Sequence, residues 1–423
     1  MASQAEESSG HQQPPRLAVP LWQNRSYLLL AGGQAISEVG THVSDLAYIL
    51  LILALTHSPA QVGLVGVLEL LPVLLLSLHA GALIDRWDRK RVMIFCDAGR
   101  AFCLLSIVVT FAWGHLTIFQ IYLVALIEST LSVFFDLAER ACLRNVVPRE
   151  QLSEASAQNQ TITYVSALVG PPVSGALYGV GQAFPFLTDA LSYVASVLSL
   201  LWIKVPFQQQ RQPASRALWK DIKEGFRWLN SQPLLRLMTL MIGALNLTAI
   251  GMNLIVVVLA QQLHATAFAT GLILAIGSIG GILGGMLGPF FAKRFRYGMV
   301  ISLICWLTAL ILPLFALASN LLILTLVLTL YLIWGRIMGV INFTYRTVLT
   351  PDEMQGRVLG IASLIVRGSL PIGMALTGVL LQHFGGTMTV LIFAAYRLLV
   401  ALIVTLNSHV RNAPRLAELP SSS

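Results

Sequence analysis

Charged residues are scarce in this sequence: Asp, Glu, Lys and Arg make up only 11% of its 423 residues, against roughly 25% in ordinary soluble domains. Hydrophobic residues make up 56%, and the mean hydropathy is +0.76. This composition excludes a soluble enzyme, a disordered protein and a secreted disulfide scaffold, because none of these could bury so much apolar surface. The apolar residues form long continuous runs instead of short alternating segments, which argues against an outer-membrane barrel.

Several chemical signatures are also missing. The chain has four cysteines, of which none lies in a predicted external loop and none forms a C-x-x-C pair. We therefore interpret Cys96, Cys103, Cys142 and Cys305 as small buried residues and expect neither a disulfide nor a metal site. The sequence lacks G-x-x-x-x-G-K-[ST], H-E-x-x-H and G-x-S-x-G motifs. Nothing therefore indicates an enzyme that hydrolyses ATP, peptides or esters, or a bound cofactor.

A transmembrane helix needs about 20 mostly apolar residues, and the sequence contains twelve runs of that kind. Gly or Pro interrupts several of them, which membrane helices tolerate. We predict an all-α integral membrane protein with twelve transmembrane helices. The predicted spans are 27–55, 60–83, 91–112, 117–139, 153–179, 185–204, 234–261, 267–292, 298–318, 321–345, 356–382 and 387–406.

Lys and Arg are absent from the odd-numbered loops between these spans. Of the 27 basic residues, four lie inside spans (Arg100, Arg336, Arg367 and Arg397), and the others lie in the tails or at the even-numbered loops. Because basic loops remain in the cytoplasm, we predict a multi-pass protein of the plasma (inner) membrane with both termini cytoplasmic. The same distribution argues against nucleic-acid binding, since the basic residues are spread along one membrane face.

The longest and most polar connection separates spans six and seven and divides the chain into halves. We predict a disordered tail at 1–24, a six-helix bundle at 25–205, a linker at 206–233, a second six-helix bundle at 234–407 and a cytoplasmic tail at 408–423. In the linker, Leu218, Ile222, Phe226 and Leu229 recur at helical spacing, which predicts an amphipathic helix on the membrane surface. We interpret this helix as an anchor for the linker; the alternative is a helix that binds a partner.

Short motifs relate this chain to a known family. The segment from Gly81 to Arg91 resembles the cytoplasmic signature G-x-L-x-D-R-x-x-R-[KR] of the major facilitator superfamily. Asp97-x-x-Arg100, Pro148-Arg-Glu-Gln-Leu152 and Gly356-Arg357-Val358 look like the macrolide-efflux and siderophore-exporter branch of the drug:proton antiporters. Gly170-Pro171-x-x-x-Gly175 in span five is similar to the antiporter motif, with a changed glycine pattern. The resemblance implies two pseudo-symmetric six-helix bundles, the major facilitator fold, that work by alternating access.

The signature loop is a candidate conformational switch, and its residues are Gly81, Asp85, Arg86, Arg89 and Lys90. A glycine permits close helix approach, and an acidic side chain at a helix end can pair with charges in one state and lose them in the other. The alternative is a loop that only sets orientation. In span eight, two sets of glycines repeat every four residues, at Gly277, Gly281 and Gly285 and at Gly280, Gly284 and Gly288. The resemblance implies that spans five and eight meet, where such faces would either slide or pack statically.

Ionisable groups inside membrane spans are costly and therefore suggest function. The intramembrane acids all lie in the N-terminal half, and those we consider for proton coupling are Glu38, Asp45, Glu69 and Glu128. Glu38 and Asp45 share a helical face with Gln34 and His42. The alternative is that these acids pair with Arg336, Arg367 or Arg397 as a buried lock between the halves. Asp97 and Arg100, one turn apart, are interpreted as a structural pair.

The substrate cavity is expected to be lined by polar and aromatic residues of both halves: Gln34, Tyr48, Tyr164, Asn246, Asn253, Arg336, Asn342, Phe343, Arg367 and Arg397. Apolar walls with few polar groups suit a drug-sized amphiphile. We predict a monomeric exporter of lipophilic or amphiphilic small molecules, driven by protons. One alternative is a carrier of anionic amphiphiles such as siderophores or lysolipids, suggested by three intramembrane arginines in the half whose spans carry no acid. The other is a membrane-embedded enzyme or a receptor that does not transport.

Overall fold

The computed structural model of the chain describes residues 20–84, 86–204 and 218–414, apart from the side chains at 78, 82, 144, 149 and 218–222. Within these ranges the chain folds into helices joined by short turns. The α-helices are α1 (Arg25–Thr56), α2 (Pro59–Ile84), α3 (Arg89–Ala112), α4 (Ile118–Val146), α5 (Leu152–Val180), α6 (Phe184–Trp202), α7 (Leu218–Ser231), α8 (Pro233–Ala249), α9 (Met252–Gln262), α10 (Ala267–Arg294), α11 (Tyr297–Ala316), α12 (Leu321–Leu349), α13 (Asp352–Leu406) and α14 (Ser408–Arg411).

Several helix starts follow directly from local sequence. Asn24, Asp88, Thr117, Thr266 and Asn320 each precede a helix, and each side chain accepts a hydrogen bond from a backbone N–H of the first turn. Such caps satisfy donors that have no partner within the helix itself. Most helix bounds lie close to the predicted spans, although span seven comprises both α8 and α9. The all-α prediction is confirmed.

Ten segments of the described chain are long and apolar enough to cross a membrane. The predicted count of twelve differs from this for two reasons. The helix α5 begins with a polar stretch from Leu152 to Thr163 that lowers its hydropathy. The helix α13 contains both spans eleven and twelve, because only Gly385, at φ +72° and ψ 178°, interrupts its 55 residues. A non-glycine side chain would be strained at this φ, so the glycine makes the bend between the two spans possible without a loop.

The two halves pack together mainly through two helix pairs. Within the N-terminal half, α1 packs on α5 and α6, and α3 and α4 pack on each other; within the C-terminal half, α10 packs on α12 and α11 on α13. Between the halves, α5 contacts α10 and α2 contacts α13. A Cβ added at Gly271 of α10 would collide with the Pro171 carbonyl of α5, and one added at Gly63 would lie 2.9 Å from the Cα of Gly378. The expected meeting of spans five and eight is therefore observed.

The glycine ladder of α10 lies mainly against a different neighbour. Cβ atoms added at Gly277, Gly280, Gly284 and Gly288 would meet Leu328, Thr329, Ile333 and Val340 of α12, in the same half. Small residues let two helix backbones approach closely. In this conformation the ladder therefore faces α12, and its glycines do not form the face of α10 that meets α5.

The buried core shows where the molecule opens. We call the end that carries Arg86, Arg89, Lys90, Lys293 and Arg294 the basic end, and the other the opposite end. One hydrophobic cluster combines residues of both halves towards the opposite end, including residues of α1, α6, α9 and the bend of α13. Towards the basic end the core divides into one cluster for each half. The halves are therefore joined at the opposite end and separated by a cleft at the basic end.

The linker helix α7 belongs with the C-terminal half. Glu224 of α7 forms an ion pair with Arg357 of α13, with 2.9 Å between Oε2 and Nη1. Gly225 lies so close to α13 that an added Cβ would be 2.7 Å from the Ile361 side chain, and Leu229 is buried in the same cluster. The predicted linker helix is therefore present, and it packs on the second bundle.

Candidate functional site

Three titratable side chains line up along one face of α1. His42 lies between the two acids: its Nδ1 is 3.1 Å from Oδ2 of Asp45, and its Nε2 is 4.0 Å from Oε1 of Glu38. The Asp45 side chain is 59% exposed and that of Glu38 is 36% exposed. Neither carboxylate is therefore enclosed by the helix packing. The shared helical face predicted from the sequence brings these groups into one chain of polar contacts.

Glu128 is held at the centre of the N-terminal half by two tyrosines. The Tyr48 hydroxyl donates to its Oε2 at 2.9 Å, and the Tyr193 hydroxyl donates to its Oε1 at 3.3 Å. The guanidinium of Arg100 lies 4.1 Å from the centre of the Tyr193 ring. Glu128 of α4 is thereby connected to α1, α3 and α6, so a change in its protonation would be felt by all three helices.

A second buried acid, Asp189, joins α6 to α1. The Ser44 hydroxyl donates to its Oδ2 at 2.7 Å, and the Ser192 hydroxyl donates to its Oδ1 at 3.1 Å. Asp97 and Arg100 are both buried, with 3.6 Å between Oδ1 and Nη1. Asp189 and Asp97 are therefore enclosed by the packing of the N-terminal half, and their contacts join its helices to one another.

Sequence reasoning missed Tyr193 and the part that α6 takes in this network. A signal was present: Asp189, Ser192, Tyr193 and Ser196 follow one another at helical spacing, and all four are buried. Such a polar stripe along an otherwise apolar helix indicates a face that meets other polar groups. The stripe therefore identifies α6 as a helix that holds the central carboxylates.

Two pockets line the cleft. The N-half pocket, of about 390 Å³, lies between α1, α4 and α5. The C-half pocket, of about 260 Å³, lies between α8, α12 and α13. The N-half pocket is lined by Gln34, Glu38, Asp136, Glu139, Arg140, Leu143, Ser156, Asn159, Gln160, Ile162 and Thr163. The C-half pocket is lined by Ile242, Gly339, Asn342, Phe343, Arg346, Ser363, Val366 and Arg367.

The predicted cavity residues are divided between these pockets and the core. Gln34 lines the N-half pocket, and Asn342, Phe343 and Arg367 line the C-half pocket. Tyr48 is buried against Glu128. The remaining candidates lie outside both pockets: Tyr164 and Asn246 are half-buried, Asn253 and Arg336 are exposed, and Arg397 is buried.

Arg397 makes a set of hydrogen bonds within the C-terminal half. Its Nε donates to the Thr248 hydroxyl at 2.7 Å, and its Nη2 donates to the Tyr331 hydroxyl at 2.7 Å and the Leu245 carbonyl at 3.1 Å. In the described part of the chain, none of Arg336, Arg367 and Arg397 forms an ion pair with an acid of the other half. This conformation therefore does not contain the lock between acids and arginines that the sequence left open.

The signature loop is built from helix-end contacts. Lys90 Nζ donates to the Ile203 carbonyl at 2.7 Å, at the carboxyl end of α6, where a cation is favoured. Arg89 Nη1 donates to the Ala141 carbonyl at 3.4 Å, and Arg86 is exposed. A Cβ added at Gly81 would meet no described atom within 4 Å, so the close helix approach expected there is absent. Asp85 lies outside the described residues.

Glu69 is the remaining candidate for proton coupling. It lies on α2, and its backbone carbonyl accepts a hydrogen bond from the Ser129 hydroxyl of α4. This contact ties α2 to α4 one residue away from Glu128. The four predicted coupling residues thus lie on three helices of the N-terminal half.

Comparison with known proteins places this architecture in a family. A family model described as a transmembrane secretion effector matches residues 19–423. The chain belongs to this family of major facilitator superfamily transporters. The resemblance inferred from the signature loop is thereby confirmed, and the chain is a membrane transporter of a family with efflux members.

Three relatives illustrate the range of the family. The MFS-type transporter YfiS of Bacillus subtilis (strain 168) is 25% identical over 413 residues, covering 94% of this chain and 96% of the relative. Macrolide efflux protein A of Streptococcus pyogenes is 23% identical, covering 92% and 97%. The enterobactin exporter EntS of Citrobacter koseri (strain ATCC BAA-895 / CDC 4225-83 / SGSC4696) is 25% identical over 316 residues and covers 73% of each chain.

Solved structures agree on the fold. The nucleoside transporter NupG superposes with a TM-score of 0.72 at 17% identity, over 90% of this chain and 98% of that one. A bacterial homologue of the iron transporter ferroportin superposes with a TM-score of 0.74 in its inward-facing state, at 16% identity and over 91% and 98% of the two chains. The outward-facing state of that homologue gives 0.56, at 16% identity and over 89% and 98%. The predicted major facilitator fold is confirmed.

Proposed function

We propose that this protein exports lipophilic or amphiphilic small molecules by alternating access, in exchange for protons. The observation that carries the proposal is the polar network of the N-terminal half. Glu38, His42 and Asp45 form one continuous line on α1, and Glu128 is bonded to tyrosines from two other helices. In the absence of any metal-binding or cofactor motif in the sequence, carboxylates are the groups suited to carry protons.

The conformation supports a cleft that opens to the cytoplasm. The cleft opens at the basic end, and basic loops favour the cytoplasmic side of a membrane. The better superposition on an inward-facing relative than on its outward-facing state agrees with this orientation. Export then requires the basic end to close while the contacts of α5 with α10 and of α2 with α13 separate.

Coupling follows from a change of surroundings. A carboxyl group that meets water in one state and a low-dielectric interior in the other changes its affinity for protons between the two. Glu128 suits this role because its hydrogen bonds reach both α1 and α6. If the protonated carrier and the substrate-loaded carrier favour opposite-facing states, the proton gradient drives export.

The pockets support an amphiphilic substrate. The C-half pocket combines the apolar side chains of Ile242, Phe343 and Val366 with two arginines. Pockets with apolar walls and a few polar groups suit drug-sized ligands. Two relatives carry names that refer to macrolide efflux and enterobactin export, which supports a large, partly polar cargo.

Transport of a panel of labelled amphiphiles into sealed liposomes containing the purified protein tests the proposal. The expected result is accumulation on the acidic side of the bilayer, abolished when an ionophore collapses the pH gradient. Accumulation that persists without the gradient would refute proton coupling. Chemical conversion of a panel compound without a gradient would instead indicate an enzyme, and binding without movement would indicate a receptor.

A further inference from the structure

The C-terminal half carries an excess of positive charge. Residues 233–414 contain ten Lys and Arg but only two acids, Asp352 and Glu353, which are adjacent at the start of α13. This excess equals the formal net charge of +8 of the whole chain, so the rest of the sequence is balanced. The membrane-spanning part of this half carries no carboxylate of its own, so the field of its basic side chains favours anions in the cleft.

Two of these basic residues, Arg346 and Arg367, line the C-half pocket. The pocket contains no acidic residue, and in the described part of the chain neither arginine forms an ion pair with an acid. The Nε of Arg346 is buried and, among the described residues, has no hydrogen-bond partner. A buried polar group without a partner is costly, and in this pocket that cost would be relieved by an anion.

Other arginines of the same half are satisfied by the protein itself. Arg397 donates to two hydroxyls and one carbonyl, and Arg357 pairs with Glu224 of the linker helix. The guanidinium groups of these two arginines are therefore bound by other groups of the protein. Arg346 and Arg367 differ because they come from two helices, are 21 positions apart in the chain, and reach the same cavity.

The other walls of the C-half pocket are suited to a hydrocarbon tail. Ile242 and Val366 present aliphatic surface, and Phe343 is 60% exposed although it is a large aromatic residue. Asn342 is held in place because the Tyr297 hydroxyl donates to its Oδ1 at 2.8 Å and its Nδ2 donates to the Met338 carbonyl. The pocket therefore offers charge at one side and apolar contact at the other.

We propose that the C-half pocket binds the anionic group of an amphiphile, a carboxylate, sulfate or phosphate attached to an apolar tail. Arg346 and Arg367 are the charge partners, since guanidinium groups bind such anions through paired hydrogen bonds. This inference rests on the proposed export function and narrows its substrate class. The anion has two possible sources, a solute that enters the cleft or a lipid of the surrounding bilayer, and both share this chemistry.

Binding of matched twelve-carbon amphiphiles tests the inference without any gradient. The protein is placed in nanodiscs of phosphatidylcholine and titrated with dodecyl phosphate, dodecyltrimethylammonium and dodecyl maltoside at constant ionic strength. The expected result is that dodecyl phosphate binds about tenfold or more tightly than the other two, and that R346Q and R367Q each weaken it by about tenfold to a hundredfold. Equal binding of the three amphiphiles would overturn the proposal.

Arg294, exposed at the end of α10 and outside the pocket, provides the matched control. R294Q removes the same charge at the same end of the molecule, and its affinity for dodecyl phosphate should stay within about twofold of the unaltered protein. If R346Q or R367Q has a lowered melting temperature, the corresponding lysine variant, R346K or R367K, is measured instead. It keeps the positive charge and should recover part of the affinity for dodecyl phosphate. The proposed binding site would be refuted if both glutamine variants bound dodecyl phosphate with unchanged affinity, or if R294Q lost as much affinity as they do.

Nanodiscs that contain phosphatidylglycerol separate the two sources of the anion. If the pocket takes lipid headgroups, this lipid should compete with dodecyl phosphate in the unaltered protein and not in R346Q. If it takes solutes from the cleft, the affinity should be unchanged. A separate transport measurement tests the export hypothesis. If dodecyl phosphate binds through Arg346 but does not move across the bilayer in response to a pH gradient, proton-driven export is contradicted and the proposed binding site is not.

Discussion

Replacing Glu128 by Gln should abolish proton-driven export while leaving substrate binding in place. The substitution keeps the size and shape of the side chain but removes the only site on it that can exchange a proton. Its surroundings are well defined, since the hydroxyls of Tyr48 and Tyr193 donate to separate carboxylate oxygens at 2.9 and 3.3 Å. The glutamine amide offers one acceptor oxygen, so one tyrosine must turn its hydroxyl round and accept from the amide NH₂.

The cost to stability follows from these two bonds. A hydrogen bond to a charged group contributes about 1.5–3 kcal/mol, and the variant exchanges two of them for weaker neutral ones. We therefore expect the free energy of unfolding to fall by about 1–3 kcal/mol. This loss is small enough for the variant to insert and fold, so its transport can be measured.

Tyr48→Phe is the matched control for this stability cost. It removes the 2.9 Å hydrogen bond while keeping the carboxylate, and the edge-on contact of its ring with Phe186, at 5.0 Å between ring centres, is preserved. We expect a similar loss of stability but continued export. Glu150→Gln, an exposed acid outside both pockets, controls for the change of charge itself.

Three measurements on each variant in liposomes distinguish the roles of Glu128: melting temperature, accumulation driven by a pH gradient, and exchange of labelled for unlabelled substrate without a gradient. The expected pattern for Glu128→Gln is exchange without accumulation. Normal accumulation would refute the assignment of proton coupling to this carboxylate. Loss of exchange together with a large fall in melting temperature would show instead that Glu128 holds the bundle together.

The remaining predictions concern orientation, conformation and stability. A cysteine introduced at Ser58 should react with an impermeant reagent added outside the cell, whereas one at Gln209 should not; labelling at Gln209 in sealed cells would contradict the orientation. Gly271→Leu should force α5 and α10 apart, because its side chain would collide with a backbone carbonyl of α5, and spin labels across the opposite end should move apart. Gly285→Leu on the same helix meets no described atom within 4 Å of its Cβ and should leave those distances unchanged. Arg397→Met, which removes three hydrogen bonds, should lower the free energy of unfolding by about 2–5 kcal/mol, and an unchanged denaturation curve would show that these bonds contribute nothing.

Much of the site could be predicted along single helices. Glu38, His42 and Asp45 were expected to share a face because their spacing fixes it, and the structure joins them in one line. The contacts of Glu128 could not be predicted in the same way, since Tyr48 lies 80 positions before it and Tyr193 lies 65 positions after it. Helical spacing tells which residues share a face, but it does not tell which helix that face meets.

The glycines of α10 show the same limit. Their spacing indicates close helix packing but does not specify the neighbouring helix. In the structure most of these glycines pack against α12. Arg397 is a further example, because an arginine within a membrane span, in a half whose spans carry no acid, suggests a ligand or a distant carboxylate. Its partners are instead two hydroxyls and a carbonyl, groups too common in the sequence to stand out as candidates.

The membrane class, most of the helical segments and the superfamily follow from the sequence alone. Each of these depends on local properties: the length of an apolar run set by the bilayer, the capping residues at helix ends, and the order of residues in one short loop. Three features became visible only in the packed helices: which end of the cleft is open, the lack of any described atom close to Gly81, and the place of Arg346 and Arg367 in one pocket. These features depend on how whole helices pack against one another, and packing selects among neighbours that the periodicity of a single helix leaves equivalent.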